Sequence, residues 1–255
     1  MILSSTIIGK GPVLIILHGL FGESKNWLSI GKVLSDNFEV HLIDQRNHGN
    51  SFHHSEHNYV CLSEDLKNYT KQKNINKFSL VGHSMGGKVA MQFGLLYPKQ
   101  LNKLIIIDIA PKTYDESHML IFQGLKEVLL NSSSRKEAVE ILKNYINNID
   151  VVHFLLKSYY IDETNIPKFK FNLCSLEQNI THVLSCISKN KTFNKMAYFL
   201  KGEKSNYITS NDIKDISYLF PLFQIIDIKG AGHWIHFDQK DIFLNTLNNI
   251  LNNKL

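Results

Sequence analysis

The segment LVGHSMGG at residues 80–87 constrains this chain most, because it contains a G-x-S-x-G motif between a strand pattern and a helix pattern. An apolar run, Phe78 to Val81, precedes the serine, and a helical pattern from Lys88 to Tyr97 follows it and ends at Pro98. A serine in such a tight turn takes a strained backbone conformation, so small residues are needed two positions before and after it. We therefore predict a nucleophile elbow that holds the Ser84 hydroxyl clear of the sheet.

Two backbone N–H groups near Ser84 are candidates for an oxyanion hole. The N–H of Met85 lies at the start of the helix after the elbow, where backbone donors are unpaired and the helix dipole is positive. A second glycine segment, HGLFG at residues 18–22, directly follows the apolar run Val13 to Leu17. Such a loop at the end of a buried strand can turn an N–H toward the ligand crevice. We therefore expect Leu20 and Met85 to stabilise a developing oxyanion.

A carboxylate and a histidine follow two other predicted strands. Asp108 stands near the end of LIIIDIAP at residues 104–111, where a buried carboxylate is costly unless a hydrogen bond or a charge meets it. His233 lies in GAGHWIH, directly after the predicted strand Phe223 to Ile228. A histidine on a glycine loop at a strand end can swing toward a serine. We expect an active-site histidine to be the partner of Asp108, and His233 to reach Ser84.

The secondary-structure pattern divides the chain into a sheet-forming core and an insertion. With 255 residues, 44% of them hydrophobic, the chain can bury the core of one large domain. Residues 1–111 and 192–255 alternate strands with helices, which predicts an α/β fold with a mostly parallel central sheet flanked by helices. Residues 112–191 show helical patterns without a strong strand. At this place in the chain order, an all-helical insertion would cover the elbow as a lid.

The lid is expected to line the substrate pocket as well as to pack on the sheet. Its apolar side chains recur at helical spacing, and we predict that some of them form the wall of an acyl pocket. These side chains include Leu120, Phe122, Leu125, Phe154, Leu155 and Phe169.

Other polar residues favour structural interpretations. In the turn DQRNHGNS, Asp44 and Arg46 are expected to tie the loop through hydrogen bonds. Near His53, His54 and His57, we expect no set of cysteines and carboxylates that completes a tetrahedral metal site. We predict that these histidines lie in a solvated loop, and that the protein uses no metal and no other cofactor.

Composition excludes several classes of protein. The net charge of +5 comes from scattered lysines rather than from a basic patch, so no nucleic-acid partner is predicted. The cysteines at positions 61, 174 and 186 form no C-x-x-C motif, and so sparse a set indicates a reducing compartment. The apolar run Val13 to Leu17 is too short to cross a bilayer and lacks the flanks of a signal peptide. A cytoplasmic protein without a membrane span is predicted.

The motifs HGLFG, DQRNHGNS, GHSMGGK, IDIAP and GAGHWIH together resemble, in order and wording, those of the α/β-hydrolase superfamily, and most closely the YbfF-like esterases. The resemblance spans nearly the whole chain, and the motifs are specific as a set, whereas the lid between them is much less so. The resemblance implies that Ser84 is the nucleophile and His233 the base. It also implies that Leu20 and Met85 donate to the oxyanion.

The triad acid is where the sequence departs from the superfamily pattern. Most members carry an aspartate just after the strand that here ends in LKG, and the matching position holds Ser205. Glu203 and Asp212 are nearby substitutes. The YbfF-like group instead has an aspartate after the preceding strand, at the position of Asp108, which the argument from burial also selects. We favour Asp108, since an orienting carboxylate needs only to reach the imidazole.

The predicted function is hydrolysis of carboxylic esters or acyl-CoA thioesters through an acyl-enzyme on Ser84, with His233 as the general base. The partner is therefore a small-molecule ester or an acyl-CoA. One alternative is a carbon–carbon bond hydrolase or lyase that uses the same residues. Another is a binding protein that keeps the fold without turnover, since fold does not fix function. The complete set of serine, histidine and carboxylate argues against the binding protein.

Overall fold

The central sheet is built from apolar runs, because its inner strands are buried on both faces. The structure, a computed structural model, describes residues 2–115, 118–188 and 190–254. Its strands in chain order are β1 (Ser5–Ile8), β2 (Val13–Leu17), β3 (Glu39–Ile43), β4 (Phe78–His83), β5 (Leu101–Ile107), β6 (Tyr159–Ile161), β7 (Pro167–Phe169), β8 (Ala197–Gly202) and β9 (Phe223–Ile228).

Within the described residues, seven of these strands form one sheet in the order β1-β3-β2-β4-β5-β8-β9. The edge strand β1 runs antiparallel to β3, and the other neighbouring pairs are parallel. Every residue of β4 is buried, as expected of the strand in the middle of the sheet. The predicted α/β fold with a mostly parallel central sheet is confirmed. The carboxyl ends of the parallel strands meet at one edge, where ligands bind in open α/β sheets.

Helices cover both faces of this sheet and make up most of the insertion. Helices α1 and α11 pack on one face through Ile30, Leu34, Phe243 and Leu247, and α2 and α3 pack on the other face. In chain order the helices are α1 (Leu28–Leu34), α2 (Tyr59–Gln72), α3 (Met85–Leu96), α4 (Met119–Asn131), α5 (Arg135–Lys143), α6 (Ile149–Leu156), α7 (Leu173–Gln178), α8 (Ile180–Leu184), α9 (Ile213–Leu219), α10 (Ile235–Asp238) and α11 (Lys240–Leu251).

The apolar pattern of residues 27–37 predicts one helix with Val33 on its buried face, and that of residues 240–251 predicts a helix that packs Ile242 on the sheet. The first segment is instead a 3₁₀ helix, Ser24–Trp27, followed by the shorter α1. Val33 and Ile242 are 43% and 44% exposed. Each stands one position before a buried residue of its helix, which places it about 100° away, at the border of the buried stripe.

The predicted elbow connects β4 to α3 through Ser84, which has φ 52° and ψ −120°. A side chain at Gly82 would bring its Cβ within 2.1 Å of the Gly86 carbonyl oxygen, and one at Gly86 would approach the carbonyl oxygen of His18 to 2.5 Å. Strand and helix thus pass so closely that only glycine fits at either position. The N–H of Ser84 donates to the Ile107 carbonyl at 3.1 Å, which ties the turn to the neighbouring strand β5.

The insertion has a core of its own beside the sheet. Buried residues of its helices and of the segments between them, among them Leu125, Leu142, Val152 and Leu176, pack in one cluster that also includes Phe21 from the loop after β2. Phe21 therefore joins the insertion to the sheet at the edge where the elbow ends.

The expectation of an all-helical insertion is wrong in one place. Strands β6 and β7 form a small antiparallel hairpin. The pattern of residues 176–188 predicts one helix, and the short helices α7 and α8 are found in this region instead. The Asp162 carboxylate closes the hairpin turn by accepting from the N–H groups of Thr164 and Ile166. Strands of three residues are too short to show an alternating pattern in the sequence.

The helices of the described segments include none long and apolar enough to cross a lipid bilayer.

Candidate active site

A cavity of about 440 Å³ opens at the carboxyl edge of the sheet, between the core and the insertion. Ser84 and His233 both line it, and Leu20 enters from the loop after β2. The insertion supplies Phe154 from α6, whereas Phe122 is buried in the insertion's own core, with its ring centroid 5.6 Å from that of Phe21. Of these two predicted pocket residues, Phe154 therefore lines the cavity and Phe122 does not.

The Asp108 carboxylate is fully buried and is met by three donors. Its Oδ2 lies 2.8 Å from His233 Nδ1 and accepts from the hydroxyl of Ser205, and its Oδ1 accepts from the Gly202 N–H at 3.0 Å. Asp108 itself has φ 49°, a conformation that non-glycine residues rarely adopt and that functional sites often contain. The structure thus brings together the carboxylate and the histidine that the sequence analysis paired.

The two other candidate acids have different partners. Glu203 accepts from the Gly230 N–H at 2.7 Å and so closes the turn after β9. Asp212 caps a 3₁₀ helix and receives Lys112 Nζ at 2.8 Å. Burial alone would raise the pKa of Asp212, but the hydrogen bonds from Lys112 and Thr209 hold it below its ordinary value. Both carboxylates are therefore engaged in local structure.

The sequence analysis missed three residues that hold His233 and its acid. Ser205 occupies the position where most relatives place the acid, yet its hydroxyl supports the acid at Asp108. The Tyr207 ring stacks on the His233 imidazole with centroids 3.8 Å apart and an interplanar angle of 16°. His83 Nε2 donates to the His233 carbonyl at 2.9 Å. The spacing of Ser205 after LKG could have indicated its role from the sequence. A ring stack between residues of distant loops leaves no pattern in the sequence.

The loop after β2 is shaped by buried, neutral histidines. Among the described residues, the N–H groups of Leu20 and Met85 have no acceptor within the protein, whereas the neighbouring N–H of Phe21 donates to His48 Nε2 at 3.1 Å. Burial and the nearby His18 lower the pKa of His48 well below its ordinary value, so the ring stays neutral and can accept this bond. The two predicted oxyanion donors are therefore available to a ligand.

The turn DQRNHGNS has the structural role that was expected. The Asp44 carboxylate accepts from the N–H of Ser24 at 2.6 Å and from that of Asn50 at 2.9 Å. The Arg46 guanidinium forms a two-pronged ion pair with Asp65 of α2. These bonds fix the loop that holds His48 and the segment after β2.

The prediction of a solvated loop is wrong for His57. Its ring is buried, with Nε2 3.4 Å from the Met85 sulfur and Nδ1 3.3 Å from the Asn47 amide nitrogen. Burial, the positive charge of Arg46 and the nearby His18 lower the pKa of His57 to about 3. The ring packs beneath the elbow because its neutral form costs little to bury. Among the residues that the structure places, no group of three or more His, Cys, Asp or Glu is arranged to hold a metal ion.

Lys88, one turn after Ser84 on α3, is buried without a carboxylate partner in the described chain. Its Nζ donates to the carbonyls of Leu184 at 3.2 Å and Ser185 at 2.6 Å, and it lies 4.7 Å from the centroid of the Tyr114 ring. Burial lowers the pKa of Lys88 to about 7. The lysine therefore ties the last part of the insertion to the helix that begins at the nucleophile position.

Comparison with known proteins places the chain in a family. Residues 12–240 match the alpha/beta hydrolase fold family, and the chain belongs to it. A putative esterase/lipase of Haemophilus influenzae is 37% identical over 94% of this chain and 83% of its own length. Esterase YbfF of Escherichia coli is 31% identical over 94% of this chain and 92% of its own length. The solved structure of a marine microorganism esterase, 40% identical, superposes with a TM-score of 0.93 over 98% of this chain and 99% of that one.

The buried histidines predict acid-sensitive folding. His57 has a pKa of about 3 in the folded chain against 6.5 for the free side chain, so between these values the unfolded chain binds more protons. The free energy of unfolding should therefore fall as the pH drops below about 6.5, with this side chain contributing about 1.4 kcal/mol per pH unit. Urea titrations from pH 7 to pH 4 on the wild type and His57→Gln measure that contribution.

The variant should show a flatter pH dependence, whereas the exposed control His182→Gln should keep the slope of the wild type. An unchanged slope in His57→Gln would contradict the assignment of a neutral, buried ring.

Proposed function

We propose that the chain hydrolyses carboxylic esters through a covalent acyl-enzyme on Ser84. The observation that carries the proposal is the 2.8 Å contact between His233 Nδ1 and the buried Asp108 carboxylate. His233 lines the same cavity as Ser84, which stands in a strained elbow. The relatives named as esterases support ester substrates. The same residues can attack a thioester, so acyl-CoA substrates belong to the proposal as well. The unpaired cysteines support a cytoplasmic location.

In the first half of the reaction, His233 Nε2 takes the proton of the Ser84 hydroxyl as its oxygen attacks the ester carbonyl carbon. The carbonyl oxygen becomes an oxyanion, which accepts from the N–H groups of Leu20 and Met85. Asp108 fixes the proton on Nδ1 and stabilises the imidazolium that forms. The imidazolium then returns its proton to the alcohol oxygen as the carbon–oxygen bond breaks. The alcohol leaves, and the acyl group stays on Ser84.

In the second half, a water molecule takes the place of the Ser84 hydroxyl as the nucleophile and attacks the acyl-enzyme. His233 takes a proton from the water, the hydroxide attacks the acyl carbon, and the same N–H groups bind the oxyanion. The bond to Ser84 breaks, its oxygen recovers a proton from His233, and the carboxylic acid is released. Each cycle therefore consumes one ester and one water and restores the free enzyme.

We also propose that residues 112–191 act as a lid that completes the acyl pocket. Support comes from the separate core of this segment and from its half-buried apolar side chains in the cavity, Ile121 and Val151. Ile121 lies one helical turn after His118, which lines both this cavity and a smaller one beside Leu20, Met85 and Ile109. The acyl chain would thus extend past Ile121, on the side of the oxyanion donors.

Ser84→Ala should lower esterase activity by several orders of magnitude, because the variant has no nucleophile while the fold is kept. A fluorophosphonate probe should label the wild type at Ser84, and peptide mass spectrometry locates the label. Ser79→Ala, a serine of the same strand away from the cavity, serves as the control and should label normally. A label found on another residue would refute the assignment.

Asp108→Asn should reduce kcat by about 10²-fold or more, because an amide can present its N–H to Nδ1 and favour the wrong tautomer of His233. Steady-state kinetics with p-nitrophenyl acetate measures this loss. Glu203→Gln and Asp212→Asn are the matched controls, and both should keep near-normal turnover. If Asp108→Asn retained normal kcat while one of the controls lost it, the role of the acid would pass to that residue.

Ile121→Ala should move the preferred acyl length upward by about two or three carbons, because it opens room for that many methylene groups, each worth about 0.8 kcal/mol when buried. The measurement is kcat/KM for p-nitrophenyl esters from C2 to C12. Its neighbour Phe122 points into the insertion's core, so Phe122→Ala should lower the melting temperature and leave the chain-length profile in place. If Ile121→Ala and the wild type had identical chain-length profiles, Ile121 would not form a wall of the acyl pocket.

A further inference from the structure

A second cavity of about 220 Å³ lies between helix α6 of the insertion and the segment that follows His233. Its walls carry the aromatic rings of Phe154, Trp234 and Phe237, and its polar groups include Ser29, Lys157 and His236. Phe237 is 70% exposed, which is unusual for a large apolar side chain that stands beside a cavity.

This second cavity adjoins the active-site cavity. Asp150, Phe154 and Trp234 line both cavities, and the rings of Phe154 and Trp234 stand with centroids 5.4 Å apart at their boundary. The leaving group of a substrate bound at Ser84 would enter the second cavity by passing this ring pair.

The mechanism decides which end of the substrate lies there. His233 must return its proton to the leaving oxygen, so the leaving group lies on the side of the imidazole, away from the oxyanion donors. Trp234 and His236 lie one and three residues after His233 in the chain, and both line the second cavity. We propose that this cavity is a subsite for the leaving alcohol of the substrate, and that it selects uncharged alcohols with a planar, apolar body. This inference rests on the proposed ester hydrolysis.

The chemistry of the walls supports an uncharged occupant. His236 stacks on Trp27 with centroids 3.9 Å apart, and its buried Nδ1 has no hydrogen-bond partner in the described chain. Burial and the nearby His233 and Lys157 lower the pKa of His236 to about 3, so the ring is neutral at neutral pH. The Lys157 ammonium lies 5.5 Å from the centroid of the Phe237 ring, and Asp150 adds a negative charge to the same cavity.

These contacts favour one class of alcohol. Aromatic walls bind planar apolar groups well. An anionic group would meet the Asp150 carboxylate, while the Lys157 ammonium already lies over the Phe237 ring. The subsite therefore favours a benzyl-type alcohol over an aliphatic one, and it disfavours the same alcohol when it carries a carboxylate.

Three esters with a common acetyl group test the proposal: ethyl acetate, benzyl acetate and 4-(acetoxymethyl)benzoate. In the wild type, kcat/KM for benzyl acetate should exceed those for the other two esters by roughly tenfold or more. Phe237→Ala removes one wall and Ser29→Phe fills the cavity from the opposite side. Each variant should lower the benzyl-to-ethyl ratio of kcat/KM about fivefold. Because the intrinsic reactivity of each ester is the same for all variants, a change in this ratio reports the subsite alone.

Tyr218, an aromatic residue on α9 that is 60% exposed, provides the matched control, and Tyr218→Ala should keep the ratio of the wild type. A ratio unchanged in Phe237→Ala and Ser29→Phe, or lowered as much by the control, would overturn the subsite. A 4-carboxylate ester cleaved as well as benzyl acetate would overturn its selectivity for uncharged alcohols. Failure of the proposed function is a different result, because then Ser84→Ala would hydrolyse ethyl acetate at the rate of the wild type.

Discussion

The proposed active site depends on one buried carboxylate. Asp108 lies at the end of β5 and joins three parts of the chain, because it accepts from Gly202 of β8, from the Ser205 hydroxyl in the next loop and from His233 after β9. A carboxylate without these donors would be costly at a fully buried position. The same bonds that make Asp108 tolerable in the core therefore set the position and the tautomer of His233.

This arrangement explains the unusual distribution of the proposed catalytic groups. In the loop after β8, where the sequence analysis looked for the acid, the Ser205 hydroxyl donates to Asp108 on the neighbouring strand, so the two positions form one network. The stacked ring of Tyr207 and the bond from His83 to the His233 carbonyl then limit the motion of the imidazole. Preorganisation of this kind keeps the base oriented before a substrate arrives.

The sequence was sufficient to predict the elements whose cause is local. The elbow follows from glycine spacing between a strand and a helix, and Asp108 was identified because a carboxylate in an apolar strand needs a partner. The hairpin β6–β7, the burial of His57 and the stack of Tyr207 on His233 were missed. These features depend on contacts between distant segments, and their residues have no distinctive local pattern. Ser205 lies between the predicted and the missed features, because the sequence singled out its position but did not predict its hydrogen bond to Asp108.

Proton NMR of the Nδ1 proton of His233 tests the central claim most directly, because this proton reports the bond to Asp108 in the resting protein. A proton held between an imidazole and a buried carboxylate exchanges slowly and resonates far downfield. The account predicts such a signal in the wild type and in Glu203→Gln, and its loss in Asp108→Asn. A downfield His233 signal that persists in Asp108→Asn would contradict the account.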